Sequence, residues 1–216
     1  MRGRRPTRPP RPSRRAWGQP WRDADYVALD FEATGLDLSR DRIISFGTVP
    51  IRMGRIEVGG CRYRMVDPEG RVPSPRSVTV HGIRPVDLRG ARSQASAVRE
   101  LGDALADRFL VAWYGRVEAG FLSAMFRVSA DRWTRTMIDV RDLMLALEGS
   151  QAEERSLTAA ATRYGVPVAD PHHALDDALV TAQLFLVVAE RLVRRDGLAT
   201  VGDLMRVRAP SARRGH

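Results

Sequence analysis

The chain has no lysine and a single cysteine, Cys61. One cysteine excludes an internal disulfide and any zinc site built on thiolates. The same usage fits a reducing cytoplasm, the compartment expected here. No run of apolar residues is long enough for a membrane span. The longest, Ala178 to Ala189, is interrupted by Thr181 and Gln183 and reads as a buried helix. A membrane is therefore not an expected partner. Arg4-Arg5 and Arg14-Arg15 are twin arginines, but neither is followed by the apolar stretch of an export signal. No internal repeat is apparent at the periods of solenoid proteins.

What is present is arginine. The formal net charge is +9, and it is unevenly placed. Met1 to Arg22 carries 8 Arg and no acid, and Leu204 to His216 carries 4 Arg and no acid. The body between them holds 23 Arg against 26 acids, a net of −3. The basic character thus belongs to the two ends. Basic arms bind nucleic-acid phosphates without reading sequence, and a solvated arm with no ligand accounts for the N-terminal run equally well. Apolar residues make up 44% of the 216, enough for one folded domain with a sizeable core.

Residues 1–22 are rich in Arg, Pro and Gly without periodicity, which predicts a disordered tail. A domain over 23–196 follows, then a short helix and a basic tail over 197–216. Tyr26 to Glu32 alternates as a strand does, with Val27, Leu29 and Phe31 on one face and Tyr26, Ala28, Asp30 and Glu32 on the other. Ile43 to Val49 and Arg62 to Val66 read as two more strands, giving a three-strand antiparallel meander. Pro73, Pro75 and Pro85 punctuate a loop region holding His81-Gly82. Helical spacing returns over Ser93 to Phe109. A short strand over Leu110 to Trp113, a helix over Glu118 to Val128, a strand over Thr136 to Val140 and a helix through Leu147 come next. Ser156 caps a helix ending at Tyr164, with Gly165 as its stop. A long helix runs from about Ala174 to Asp196, and a short one covers Val201 to Arg206. The order predicts an α/β domain: a mixed sheet, meander plus parallel strands, with helices packed on it.

Three features carry chemistry. Asp30 and Glu32 stand two apart on one strand, so both carboxylates share a face. Two such anions resist burial unless a cation lies between them, and hard oxygen donors suit Mg²⁺ or Mn²⁺. An ordinary solvent-facing edge explains the pair as readily. The run His172-His173-Ala174-Leu175-Asp176-Asp177-Ala178 opens the long helix. A histidine just before a helix and an acid in its early turns can face one site. Acids in a first turn also favour the helix dipole with no further role. Glu118, early in its own helix, is ambiguous in the same way.

The order of these segments raises their weight, and here the chain resembles the DnaQ-like 3′–5′ exonucleases, which carry four acidic residues and a histidine on an RNase H-like fold. The family's opening Asp-x-Glu followed by Thr-Gly is similar to Asp30-Phe31-Glu32-Ala33-Thr34-Gly35. Its His-Gly-Ile segment stands as His81-Gly82-Ile83, and its closing His-x-Ala-Leu-x-Asp-Ala as His172 to Ala178 with Thr181 beyond. The resemblance covers about Asp25 to Leu192. The middle motif departs: Glu118 falls where the family has Asp, and Trp113-Tyr114 replace His-Asn.

The resemblance implies hydrolysis of a terminal phosphodiester with two bound Mg²⁺ or Mn²⁺ ions. Asp30 would bridge both, Glu32 and Asp177 would complete one site, and Glu118 would serve the other. His172 would be the general base, since its spacing to Asp177 matches the family, with His173 the competitor. Ala33, Thr34 and Gly35 would approach the terminal nucleotide. His81 would line the cleft, although a hydrogen-bonded loop histidine is the plainer reading. Trp113 and Tyr114 would stack bases, with burial of Trp113 at a strand end as the competing role. The partner expected is a single-stranded or frayed 3′ end of DNA, in a polymerase or repair setting. RNA trimming and a non-catalytic nucleic-acid-binding module stand as the alternatives.

Overall fold

The computed structural model describes residues 9, 11–149 and 156–208. Six strands form one sheet: β1 (Tyr26–Ala33), β2 (Ile43–Arg52), β3 (Arg55–Ile56), β4 (Arg62–Met65), β5 (Phe109–Ala112) and β6 (Met137–Asp139). Their order is β3-β2-β1-β5-β6, with β4 also paired to β2. The strands β1 to β4 pair antiparallel, whereas β5 joins β1, and β6 joins β5, in parallel. This is the expected mixed sheet. Eight helices surround it among the described residues: α1 (Pro75–His81), α2 (Gln94–Leu105), α3 (Gly115–Phe126), α4 (Ala130–Thr134), α5 (Val140–Glu148), α6 (Leu157–Tyr164), α7 (Ala174–Asp196) and α8 (Val201–Arg206).

The alternation along β1 sorts the core into two halves. Tyr26 and Ala28 pack against α7 through Leu184, Phe185 and Val188, with the Tyr26 and Phe185 rings 4.9 Å apart. Val27, Leu29 and Phe31 turn to the other side, where Leu101 of α2 and Leu122 of α3 cover them. Burial on both faces explains why β1 reads as nearly continuous apolar sequence until Asp30.

Beyond two short elements not expected, β3 and α4, and Phe109, which opens β5 rather than ending a helix, three departures from the sequence reading bear on the site and the chain ends. The Pro-rich region predicted as a loop contains α1. Ser74 accepts the Ser77 N–H at 3.1 Å, Pro75 occupies the first turn, and Gly82 ends the helix at φ 72°. Cap, proline and left-handed glycine stand in the order a helix requires. The helix expected from Glu118 begins earlier, at Gly115, because Tyr114 takes a left-handed turn (φ 57°) straight out of β5. The third concerns the N-terminal run. Composition predicts disorder through residue 22, yet residues 11–22 fold onto the body. Trp21 is buried at 3% exposure against Phe185. Its N–H donates to the Ala199 carbonyl at 3.0 Å, and the Val201 N–H donates back to Gln19 at 3.2 Å. One buried tryptophan outweighs the polar composition around it. Residues 1–8 and 10 lie outside the described residues, as do 209–216. With Val201, Leu204 and Met205 also buried, the boundaries placed at residues 22 and 196 fall within one packed unit.

At Gly47, in the middle of β2, helix α7 comes down close on the sheet. A Cβ built there would run into the Ala174 carbonyl and the Leu175 backbone at the start of α7. Gly47 lies directly opposite Asp30 on β1 and Tyr63 on β4. Glycine at this point lets the helix start settle on the sheet. Gly47→Ala is expected to destabilise the fold by about 1–3 kcal/mol, the usual cost of overpacking. Gly18→Ala, where nothing lies within 4 Å, is the control. Chemical denaturation of both variants checks this; equal midpoints would refute the close approach.

Candidate active site

Three elements bring the acidic residues together. β1 supplies Asp30 and Glu32 on the face that α7 covers. The first turn of α3 supplies Glu118, and the first turns of α7 supply Asp177. One ligand atom each of Glu32, His172 and Asp177 lie within 4.8 Å of one another. Asp30 lies near enough to feel the charge of Glu118, Glu32 and Asp177. Glu118 is 5% exposed, and its Oε2 has no hydrogen-bond partner.

The turn before α7 explains how His172 enters this group. His172 has φ 65°, an uncommon conformation for a side-chain-bearing residue and one histidine tolerates better than most. Its N–H donates to Asp177 Oδ2 at 3.1 Å, which ties the turn to the helix it precedes. His173 then takes the N-cap position of α7, with its ring 4.3 Å from that of Tyr63 and its Nδ1 3.4 Å from Asp176 Oδ2. Of the two adjacent histidines, His172 therefore joins the carboxylates.

Electrostatics follow from crowding. Burial raises the Glu32 carboxyl to about 8, with Asp177 pushing the same way. Burial raises Asp30 well above the carboxylate range, reinforced by Glu118, Glu32 and Asp177. Glu118 is raised well above its ordinary value by burial, then by Glu32 and Asp139. Asp177 is raised by burial, against the pull of the His172 N–H and imidazole. Four carboxyls shifted upward together are acids that a divalent cation would stabilise in their charged form. Oxygen donors, close spacing and the unpartnered Glu118 Oε2 make the cluster a fit for such an ion.

The other predicted residues divide. Thr34 is buried and structural: its Oγ1 donates to Asp41 at 2.7 Å, and its carbonyl accepts from Ser74 N–H and Ser77 Oγ. Gly35 lies against the Asp41 side chain, leaving no room for a Cβ. Ala33 is buried at the end of β1. His81 ends α1 rather than lying in a loop, and its Nδ1 accepts the Ile83 N–H at 3.0 Å. Burial lowers its imidazole, and the nearby His172 adds to that effect. Tyr114 is 41% exposed, within cation–π distance of Arg141 at 5.0 Å. Trp113 requires a correction. It is buried at 7% exposure and packs in the core, so its ring is committed to the interior rather than to a nucleotide base.

One supporting residue escaped the sequence reading. Asp139, at the end of β6, accepts the Arg141 N–H at 3.0 Å and the Gly115 N–H at 2.8 Å. It caps α5 and anchors the start of α3, the helix carrying Glu118. Its signal was an Asp directly before a helical run.

A mixed sheet with a buried carboxylate cluster and an adjoining histidine at the end of its central strand defines a metal-dependent exonuclease fold. Residues 27–185 match the family model RNase_T, described as an exonuclease, and the chain belongs to that family. It is 32% identical over 187 residues to the PolC-type DNA polymerase III of Thermotoga maritima, a match covering 86% of this chain and 13% of that protein. The Staphylococcus aureus PolC-type polymerase is 26% identical over 172 residues, covering 79% and 12%. The chain thus spans about an eighth of these relatives. Escherichia coli exonuclease I, solved with a dT13 oligonucleotide, superposes with a TM-score of 0.68 at 17% identity, over 79% of this chain and 42% of that one. The same enzyme with dA16 gives 0.70. Among the described residues, no helix is long and apolar enough to cross a membrane.

The raised carboxyls predict a pH dependence in chelator. A carboxyl whose value is higher folded than unfolded holds its proton more tightly when folded. For Glu32 the resulting stabilisation is complete below 4.5 and is lost as pH rises through about 8. The melting temperature in EDTA is therefore expected to fall across that window, and Glu32→Gln to flatten the fall. A melting temperature that climbs with pH over the same range would contradict the burial of these acids.

Proposed function

We propose that the chain is a 3′–5′ exonuclease that hydrolyses the terminal phosphodiester of nucleic acid, with single-stranded or frayed DNA as its favoured substrate. The observation that carries this reading is the gathering of Asp30, Glu32, Glu118, Asp177 and His172 into one crowded site at the end of β1. Family membership supports the reaction class. The PolC-type relatives are DNA polymerases, which supports DNA as substrate and a polymerase setting as the context. The oligodeoxynucleotides in the exonuclease I structures support an unpaired strand.

Asp30, Glu32 and Asp177, with Glu118 on the opposite wall, are the residues that would hold two Mg²⁺ or Mn²⁺ ions. Bound there, such ions supply charge stabilisation at the attacking and leaving oxygens of an in-line displacement. His172 takes the proton from the attacking water. It is the exposed member of the group, and its N–H bond to Asp177 fixes its turn beside the carboxylates. The terminal nucleotide lies along Ala33 to Gly35, with His81 and Tyr114 flanking it. Glu118 reaches one methylene further than the aspartate of related enzymes.

The test is degradation of 5′-labelled single-stranded DNA, single-stranded RNA and a 3′-recessed duplex, with Mg²⁺, Mn²⁺ or EDTA. The expected result is a shrinking ladder on DNA that requires metal. Asp30→Ala should lose more than about 10²-fold in rate, and Glu118→Asp about ten- to a hundredfold through misplacement of its carboxylate. A faster Glu118→Asp would show that the native glutamate is a handicap. Faster loss of RNA would transfer the substrate assignment to RNA. No ladder on any substrate would sink the reading.

A further inference from the structure

Asp30, Gly47 and Tyr63 are directly opposite one another across β1, β2 and β4, so they share the face of the sheet that α7 covers. The middle position is empty of side chain, and the backbone of Ala174 and Leu175 fills the gap. On one side of that gap stands the carboxylate cluster. On the other stands the half-buried ring of Tyr63, with the His173 ring stacked on it at 4.3 Å and 33°. His173 Nδ1 also lies 3.4 Å from Asp176 Oδ2. His173 is the N-cap residue of α7, one position after His172 and four before Asp177, and its side chain makes no capping hydrogen bond. Beside the His172–Asp177 bond, what locates this helix start is packing: glycine beneath it and an aromatic ring beside it.

We propose that Tyr63, acting through its stack on His173, is a positioning residue that sets where His172 and Asp177 stand against Glu32. The reason is mechanical. His172 sits in a left-handed turn that ordinary backbone preferences disfavour. The turn persists because it is held at both ends: the His172 N–H is bonded to Asp177, and the next residue is clamped on Tyr63. Removing the ring frees one end and lets the turn relax, which moves the base and the Asp177 carboxylate together. The contact with His173 is made by the ring, whereas the Tyr63 hydroxyl faces Ser45 and the Glu32 charge; if the stack is what positions the turn, a phenyl ring should serve.

This rests on the nuclease reading of the site, and the readouts are chosen to separate the two. Tyr63→Ala and Tyr63→Phe are compared with the wild type for kcat and KM on a 5′-labelled single-stranded oligodeoxynucleotide, and for Mn²⁺ affinity by the electron paramagnetic resonance signal of free Mn²⁺. Proton NMR of the four histidines adds a direct view of the stack. Tyr63→Ala is expected to lose about tenfold in kcat with KM unchanged and to bind Mn²⁺ about tenfold more weakly, the consequence of ligands displaced by a fraction of an ångström. Tyr63→Phe should restore both to within about twofold. His173 ring protons should lie upfield in the wild type and Tyr63→Phe, and move downfield in Tyr63→Ala. The inference is overturned by unchanged kcat and Mn²⁺ affinity in Tyr63→Ala, by a rise in KM alone, or by failure of Tyr63→Phe to rescue. A wild type that binds Mn²⁺ but cleaves nothing refutes the nuclease reading, and the Mn²⁺ comparison still decides the clamp. A wild type that does neither overturns both.

Discussion

α7 passes so close over β2 at Gly47 that a methyl group has no room between them. The acidic cluster depends on this contact. Asp30 is the cross-strand neighbour of Gly47, and Asp177 lies three residues beyond Ala174, whose carbonyl occupies the gap. A bulkier residue on β2 would lift the helix start and carry Asp177 and the His172 turn away from Glu32. Packing in the interior is dense and does not stretch, so a single missing side chain translates directly into the geometry of a site.

That geometry works against the stability of the protein. Four carboxyls are gathered where burial raises all of them and Asp30 also feels the charge of the other three, and Glu118 keeps a buried oxygen with no protein partner. Neighbouring elements bear the strain. The core on both faces of β1 is continuous and well covered, and Asp139 pins the starts of α3 and α5 to one strand end. Two helix starts, α3 and α7, thus converge on β1: the first is held by the Gly115 bond to Asp139, the second by its close packing on Gly47 and the His172 bond to Asp177.

The ends of the described chain contribute in a different manner. Residues 11–22 close over the edge of α7 and exchange backbone hydrogen bonds with the segment entering α8. Trp21 and Tyr26 both pack on Phe185 near the middle of α7. The helix is therefore fixed along its length as well as at its start, and this makes placement of its first turn reproducible.

The sequence by itself determined a good deal. The alternation of β1, the spacing of Asp30 and Glu32, the caps of α6 and the extent of α7 and α8 are local properties, written in residue order and periodicity. The family could be read because its motifs are short runs in a set order. By themselves Asp30 and Glu32 were as readily a solvent-facing edge as a site, and His172 was preferred to His173 only through the spacing the resemblance implies. The surroundings of the two came only from tertiary structure, where the His172 N–H bonds Asp177 and the His173 ring lies on Tyr63. The same holds for Trp113, whose type suits base stacking and whose position is the core. Arg- and Pro-rich composition hid the ordering of residues 11–22, since one buried tryptophan contributes more than the polar residues around it can oppose. Local patterns report what a segment can become; which neighbour reaches it depends on contacts far apart in sequence, and those exist only once the chain has packed.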